Sequence, residues 1–68
     1  MIIKVKLKEL HSSMLSMGYD RKTLANKSGL SYITINTVIN NTSPIRIKTA
    51  NKIAAALEIK TSDLFDVE

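Results

Sequence analysis

Residues 20–41 read DRKTLANKSGLSYITINTVINN, and the fold turns on how this stretch is parsed. Asp20 is a short acceptor placed before a helical run. It is expected to cap a helix from Arg21 to Ser28 by accepting from the amide of Lys22 or Thr23. Within that run Leu24 and Ala25 point inward, while Arg21, Lys22 and Lys27 point out. Gly29 ends the helix where a positive φ is required. Leu30 is expected as a buried anchor, and Ser31 caps a further helix, Tyr32 to about Asn40. The inner face of that helix is Ile35, Val38 and Ile39. So short a connection forces the two helices to cross steeply instead of lying antiparallel.

Working outward, Ile2 to Lys8 alternates apolar and cationic side chains, the period of a strand. From Leu7 the spacing turns helical. Leu7, Leu10, Met14 and Met17 share one stripe, which gives a first helix at about Lys6 to Met17, closed by Gly18. The residues before it are either frayed helix or a short extended piece that pairs with the chain's end. His11 lies off the stripe's centre and receives no role. On the other side, Asn40 to Pro44 is loop by composition. A fourth helix follows at about Ile47 to Leu57, with Ile47, Ala50, Ile53, Ala54 and Leu57 inward. Ile59 fills the core, and Ser62 caps a last turn, Asp63 to Phe65. No repeat, low-complexity tract or linker is visible, so one domain over residues 1–68 is expected.

The 68 residues include no cysteine and one histidine, which excludes disulfide staples, thiolate metal sites and two-histidine metal sites. No metal and no cofactor are expected. The net charge is +4, unevenly spread. Residues 1–52 hold nine of the ten Lys and Arg against only Glu9 and Asp20, whereas residues 53–68 hold Lys60 against Glu58, Asp63, Asp66 and Glu68. A basic body with an acidic end suggests a polyanionic partner. No apolar run approaches the roughly 18 residues of a membrane span. Met1-Ile2-Ile3 is too short for a signal-peptide core, so a cytoplasmic protein without a membrane partner is expected.

Leu24-Ala25, Gly29-Leu30-Ser31, Ile35 and Val38, the helix 47–57, Ile59 and Asp63-Leu64 together resemble the Cro/C1-type helix-turn-helix proteins. The resemblance covers roughly residues 7–65. It implies an all-α, five-helix lambda-repressor-like DNA-binding domain, here with the option of a short extended N-terminal segment. The chain departs from the usual pattern in four places. Its third helix carries no Arg or Lys, Asn41 stands where glycine is common, Ser28 stands where an apolar residue is common, and the first helix starts further upstream.

The resemblance further implies that the outward positions of the third helix read sequence and that the first turn of the second helix touches phosphate. A major groove about 12 Å wide accepts one helix. Ser31, Tyr32, Ile33, Asn36 and Thr37 are therefore the expected base-reading residues. Asn36 is suited to a bidentate pair with adenine, and Ile33 to thymine methyls. Asp20, Arg21 and Lys22 are expected along the DNA backbone, as are Asn40, Asn41, Thr42, Ser43 and Arg46 after the third helix. Small polar Asn and Thr are poor helix formers, and their choice on an exposed face points to contact more than to solubility.

No serine is spaced with a histidine base and no Gly-rich phosphate loop is present, so catalytic residues are not expected. The sequence thus points to a transcriptional regulator, a small repressor that binds a double-stranded DNA operator as a homodimer. Residues 64–67 are the first candidate for the dimer surface, together with Ile2 to Val5. The rival reading is a protein-interaction module on the same fold, an antitoxin or antirepressor that caps a partner protein. A phage or mobile-element setting fits the size.

Overall fold

The computed structural model describes residues 2–40 and 44–67. Along the chain these form β1 (Ile3–Val5), α1 (Leu7–Met17), α2 (Arg21–Ser28), α3 (Tyr32–Asn40), α4 (Ile47–Ala56), α5 (Thr61–Leu64) and β2 (Phe65–Val67). The architecture is the expected five helices. Of the two options for the N-terminal residues, the extended one is realised. β1 pairs antiparallel with β2 in the register Ile3↔Val67, Lys4↔Asp66 and Val5↔Phe65. The Lys6 amide extends this clasp by donating to the Leu64 carbonyl at 2.7 Å.

Each helix contributes one of the largest fully buried side chains: Leu10, Leu24, Ile35, Ile53 and Leu64. Around them pack Ile3, Met14, Ala25, Val38, Ile39, Ile45, Ala50, Ala54, Leu57 and Phe65. α2 packs on α3 and α4, while α5 packs on α4 and α1. Burying one Leu or Ile is worth about 1.5–3 kcal/mol, so a core assembled from one such residue per helix makes every helix necessary to the others.

Helix ends follow from local chemistry. Gly18 at φ 71° closes α1, and the Tyr19 amide donates back to the Met14 carbonyl at 2.8 Å. Gly29 at φ 73° closes α2, and the Leu30 amide donates to the Ala25 carbonyl. After α4 the same wrap is made by Glu58 at φ 58°, with the Glu58 and Ile59 amides donating to Ala55 and Ala54.

Several sequence expectations shift. α1 starts at Leu7, and Leu7 is 40% exposed. The buried stripe is thus Leu10 and Met14, with Met17 half-buried. Leu15, on the same helix, is 83% exposed. Leu30 and Ile59 are half-buried lids on the core, not plugs within it. Ile47 faces solvent and Ile45, before α4, is buried in its place, because the helix begins only after Arg46 and the chain enters it in extended conformation. α4 ends at Ala56 with Leu57 as its cap residue. The last helix runs Thr61–Leu64, so Ser62 lies inside it and Phe65 belongs to β2. Thr61 ties α5 to α4 through a 2.8 Å bond from its Oγ1 to Asn51 Oδ1. Since Leu64 and Phe65 are interior, a dimer surface at residues 64–67 has only Asp66 and Val67 to offer among the described residues.

Candidate nucleic-acid interface

The second and third helices are set by two caps of the same design. Asp20 Oδ1 accepts from the Thr23 amide at 2.8 Å, and Ser31 Oγ accepts from the Thr34 amide at 3.1 Å. The Thr23 amide and hydroxyl hold the Asp20 carboxyl below its ordinary pKa of 3.8, with Lys22 adding a smaller pull in the same direction. Ser31 Oγ also lies 2.9 Å from Thr34 Oγ1, so its hydroxyl is engaged within the cap. At the C-terminal end of α2, the buried Ser28 hydroxyl donates to the Ala25 carbonyl at 3.2 Å. That bond lets a polar residue occupy a position that is often apolar.

With Ile35, Val38 and Ile39 in the core, the opposite side of α3 is left to solvent. Ile33 is 77% and Tyr32 45% exposed. Ser31 and Asn40 are exposed, while Asn36 and Thr37 are half-buried. The Thr37 hydroxyl donates to the Ile33 carbonyl one turn back, at 3.0 Å. Tyr32 borders a shallow crevice with Lys22, Ala25, Asn26, Leu30 and Ser31. Asn26 at this rim escaped the sequence reading, because it carries no motif and earns its place only by the packing of α2 on α3.

Among the predicted backbone residues, Lys22 and Arg46 are exposed and Arg21 is half-buried. The Asp20 carboxylate is committed to its cap. Asn41, Thr42 and Ser43 lie outside the described residues. Among the described residues, one link joins the two predicted groups. Arg21 Nη1 donates to Asn36 Oδ1 at 2.6 Å, across the turn from α2 to α3. No spacing rule announces a contact between positions 21 and 36; it exists because Gly29 folds one helix back over the other.

Electrostatically, α3 itself is neutral; Arg21 of α2 bonds to its Asn36 and Lys22 of α2 shares a crevice with its Tyr32, while Lys27 lies further along α2 and Arg46 before α4. Such a face offers hydrogen bonds and apolar contact of its own and takes its charge from α2. That is the division between base readout and phosphate positioning that a duplex calls for. No helix among the described residues is long and apolar enough to cross a membrane. A family model for the Cro/C1-type HTH DNA-binding domain matches residues 9–68. No curated protein and no solved structure matches the chain.

Proposed function

The chain belongs to the Cro/C1-type helix-turn-helix DNA-binding family, and on that premise we propose that it is a small repressor acting as a single domain in the cytoplasm. It inserts α3 into the major groove of an operator and blocks a promoter by occupancy. The observation that carries this reading is the neutral outer face of α3, with Tyr32 and Ile33 exposed and Arg21 and Lys22 of α2 beside it. Ser31, Tyr32, Ile33, Asn36 and Thr37 read bases. Arg21, Lys22 and Arg46 take phosphates together with Asp20, Asn40 and residues 41–43, the uncharged and acidic members contributing backbone amides and neutral donors.

One monomer presents too little surface for tight specific binding, so the active form is a homodimer whose recognition helices lie one helical turn apart, roughly 34 Å. Its contact surface draws on apolar side chains exposed outside α2 and α3: Ile2 just before β1, Val67 on β2, and Leu7 and Leu15 on α1. The exposed Leu15 also favours the second reading, a module that caps a protein partner. Binding titrations on duplex DNA across a salt series separate the two. The DNA reading expects log affinity to fall steeply and linearly with log salt, by about 0.9 per phosphate neutralised. Weak binding with a flat salt response supports the protein-capping reading, and a species that stays monomeric on a palindromic site removes the dimer.

A further inference from the structure

We infer that Ile33 and Thr37 together read the C5-methyl group of a pyrimidine, so that the chain tells 5-methylcytosine from cytosine as well as thymine from uracil. This rests on the DNA-binding reading above and adds the chemical group that is read. Ile33 is 77% exposed, on a helix whose other isoleucines, Ile35 and Ile39, are buried. An exposed isoleucine does nothing for a solvated helix, because its branched Cβ stiffens the side chain and lowers helix propensity. Thr37 stands one turn further along the same face, at the i+4 spacing that makes helical side chains neighbours. Its Cβ, like every Cβ on a helix, tilts toward the N-terminus and so toward Ile33. The Thr37 hydroxyl is laid back against the helix, donating to the Ile33 carbonyl at 3.0 Å. The γ-methyl on the same Cβ takes no part in that bond and supplies a second apolar group one turn from Ile33.

Base edges in the major groove are mostly donors and acceptors, and the apolar feature among them is the thymine methyl. Set against a polar edge, Ile33 would strip water from groups that it cannot pair. Set against a methyl, it removes apolar surface from water on both sides. α3 has no Arg or Lys to seek the guanine acceptors, so apolar contact is a large part of what it offers a base. The methyl of 5-methylcytosine sits on the same ring carbon as that of thymine and projects into the same groove. An apolar reader therefore responds to the methyl, whichever base carries it.

The test begins with selection from random duplex DNA by the wild-type chain. In the selected site each thymine is replaced in turn by deoxyuridine, which deletes only the methyl, and affinity is measured by competition. At least one replacement should weaken binding by about fourfold, the effect of one buried methyl-sized group. At that position 5-methylcytosine should bind about fourfold more tightly than cytosine. Ile33→Ser, shown by circular dichroism to keep its helices, should lose most of both differences. Two changes at position 37 separate methyl from hydroxyl. Thr37→Val keeps a methyl and should keep the response, whereas Thr37→Ser keeps the hydroxyl and should lessen it. The inference is overturned if no thymine can be told from deoxyuridine, if Ile33→Ser or Thr37→Ser leaves the response intact, or if Thr37→Val abolishes it. Duplex binding with a steep salt response and no methyl effect overturns this inference alone. A chain that binds no duplex with a steep salt response fails at the earlier step, and both readings fall together.

Discussion

The helix pair at residues 20–40 and the clasp formed by β1, α5 and β2 are built on opposite principles. In the helix pair, the fixing contacts span a few residues: Asp20 to Thr23, Ser31 to Thr34, and the left-handed turn at Gly29. In the clasp, they join positions about sixty apart, Ile3 to Val67 and Val5 to Phe65, with Lys6 reaching Ser62 and Asp66. The first unit can form its caps and turn as soon as the chain becomes helical. The second must wait until loop closure brings the two ends together, which costs entropy before any contact repays it. Accordingly, the structure places its candidate recognition surface on the part whose geometry is fixed locally.

The sharpest test of that contrast is to remove one isoleucine from each part. Ile35→Ala empties a fully buried site beneath α3, and the expected loss is about 2–5 kcal/mol. A core of this size rarely supplies more than about 3–5 kcal/mol in all, so the variant should be largely unfolded in a urea titration followed by circular dichroism. Ile3→Ala removes an equally apolar side chain from a three-residue strand that can close around the gap. Its loss should fall near the lower limit, about 2 kcal/mol. Equal losses would erase the distinction and make the clasp as integral as the helix pair.

A smaller effect comes from the three left-handed helix ends among the described residues. Gly18 and Gly29 share nearly the same φ, and a Cβ added at either meets no atom within 4 Å. Strain alone sets the cost, so Gly18→Ala and Gly29→Ala should each lose about 1–2 kcal/mol in thermal unfolding. At Glu58 the argument runs the other way. Glu58 holds φ 58° with a full side chain, so Glu58→Gly should gain up to about 1 kcal/mol. A much larger cost at Gly29 than at Gly18 would mean that the α2–α3 turn demands more than a left-handed residue.

What could be read from sequence divides along the same line. Asp20, Gly29 and Ser31 act through the backbone within one turn, and Leu24, Ile35, Val38 and Ile53 declare themselves by helical spacing. Those positions were legible. The strand was ambiguous because Leu7 fits both the alternation that precedes it and the helix that follows. Likewise, Ile47 fits the stripe of α4, yet the extended entry at Arg46 sends Ile45 inward instead. The residue types on the α3 face were legible too, but not their hydrogen-bond state. Arg21 and Asn36 meet only after α2 and α3 fold together, so the clean separation of a phosphate frame from a base reader does not survive the 2.6 Å bond between them.

The smallest effect concerns acid. α2 and α3 carry matching caps, but only the Asp20 cap titrates. Its carboxyl is held below 3.8 by the Thr23 amide and hydroxyl, so the folded state binds that proton less readily than the unfolded chain. The stability it contributes is complete above the unfolded value and is lost as pH falls through the lower, folded one. Asp20→Ser supplies a cap that does not ionise. The stability difference between wild type and this variant should therefore hold steady near neutrality and change only below about pH 4, whereas the Ser31→Ala loss should be flat with pH. In the wild type, the Thr23 amide resonance should shift with a midpoint below 3.8, because its acceptor is the titrating oxygen. A midpoint at or above 3.8 would show that the cap gains nothing from its charge. The two helices of the reader would then be anchored by equivalent neutral bonds.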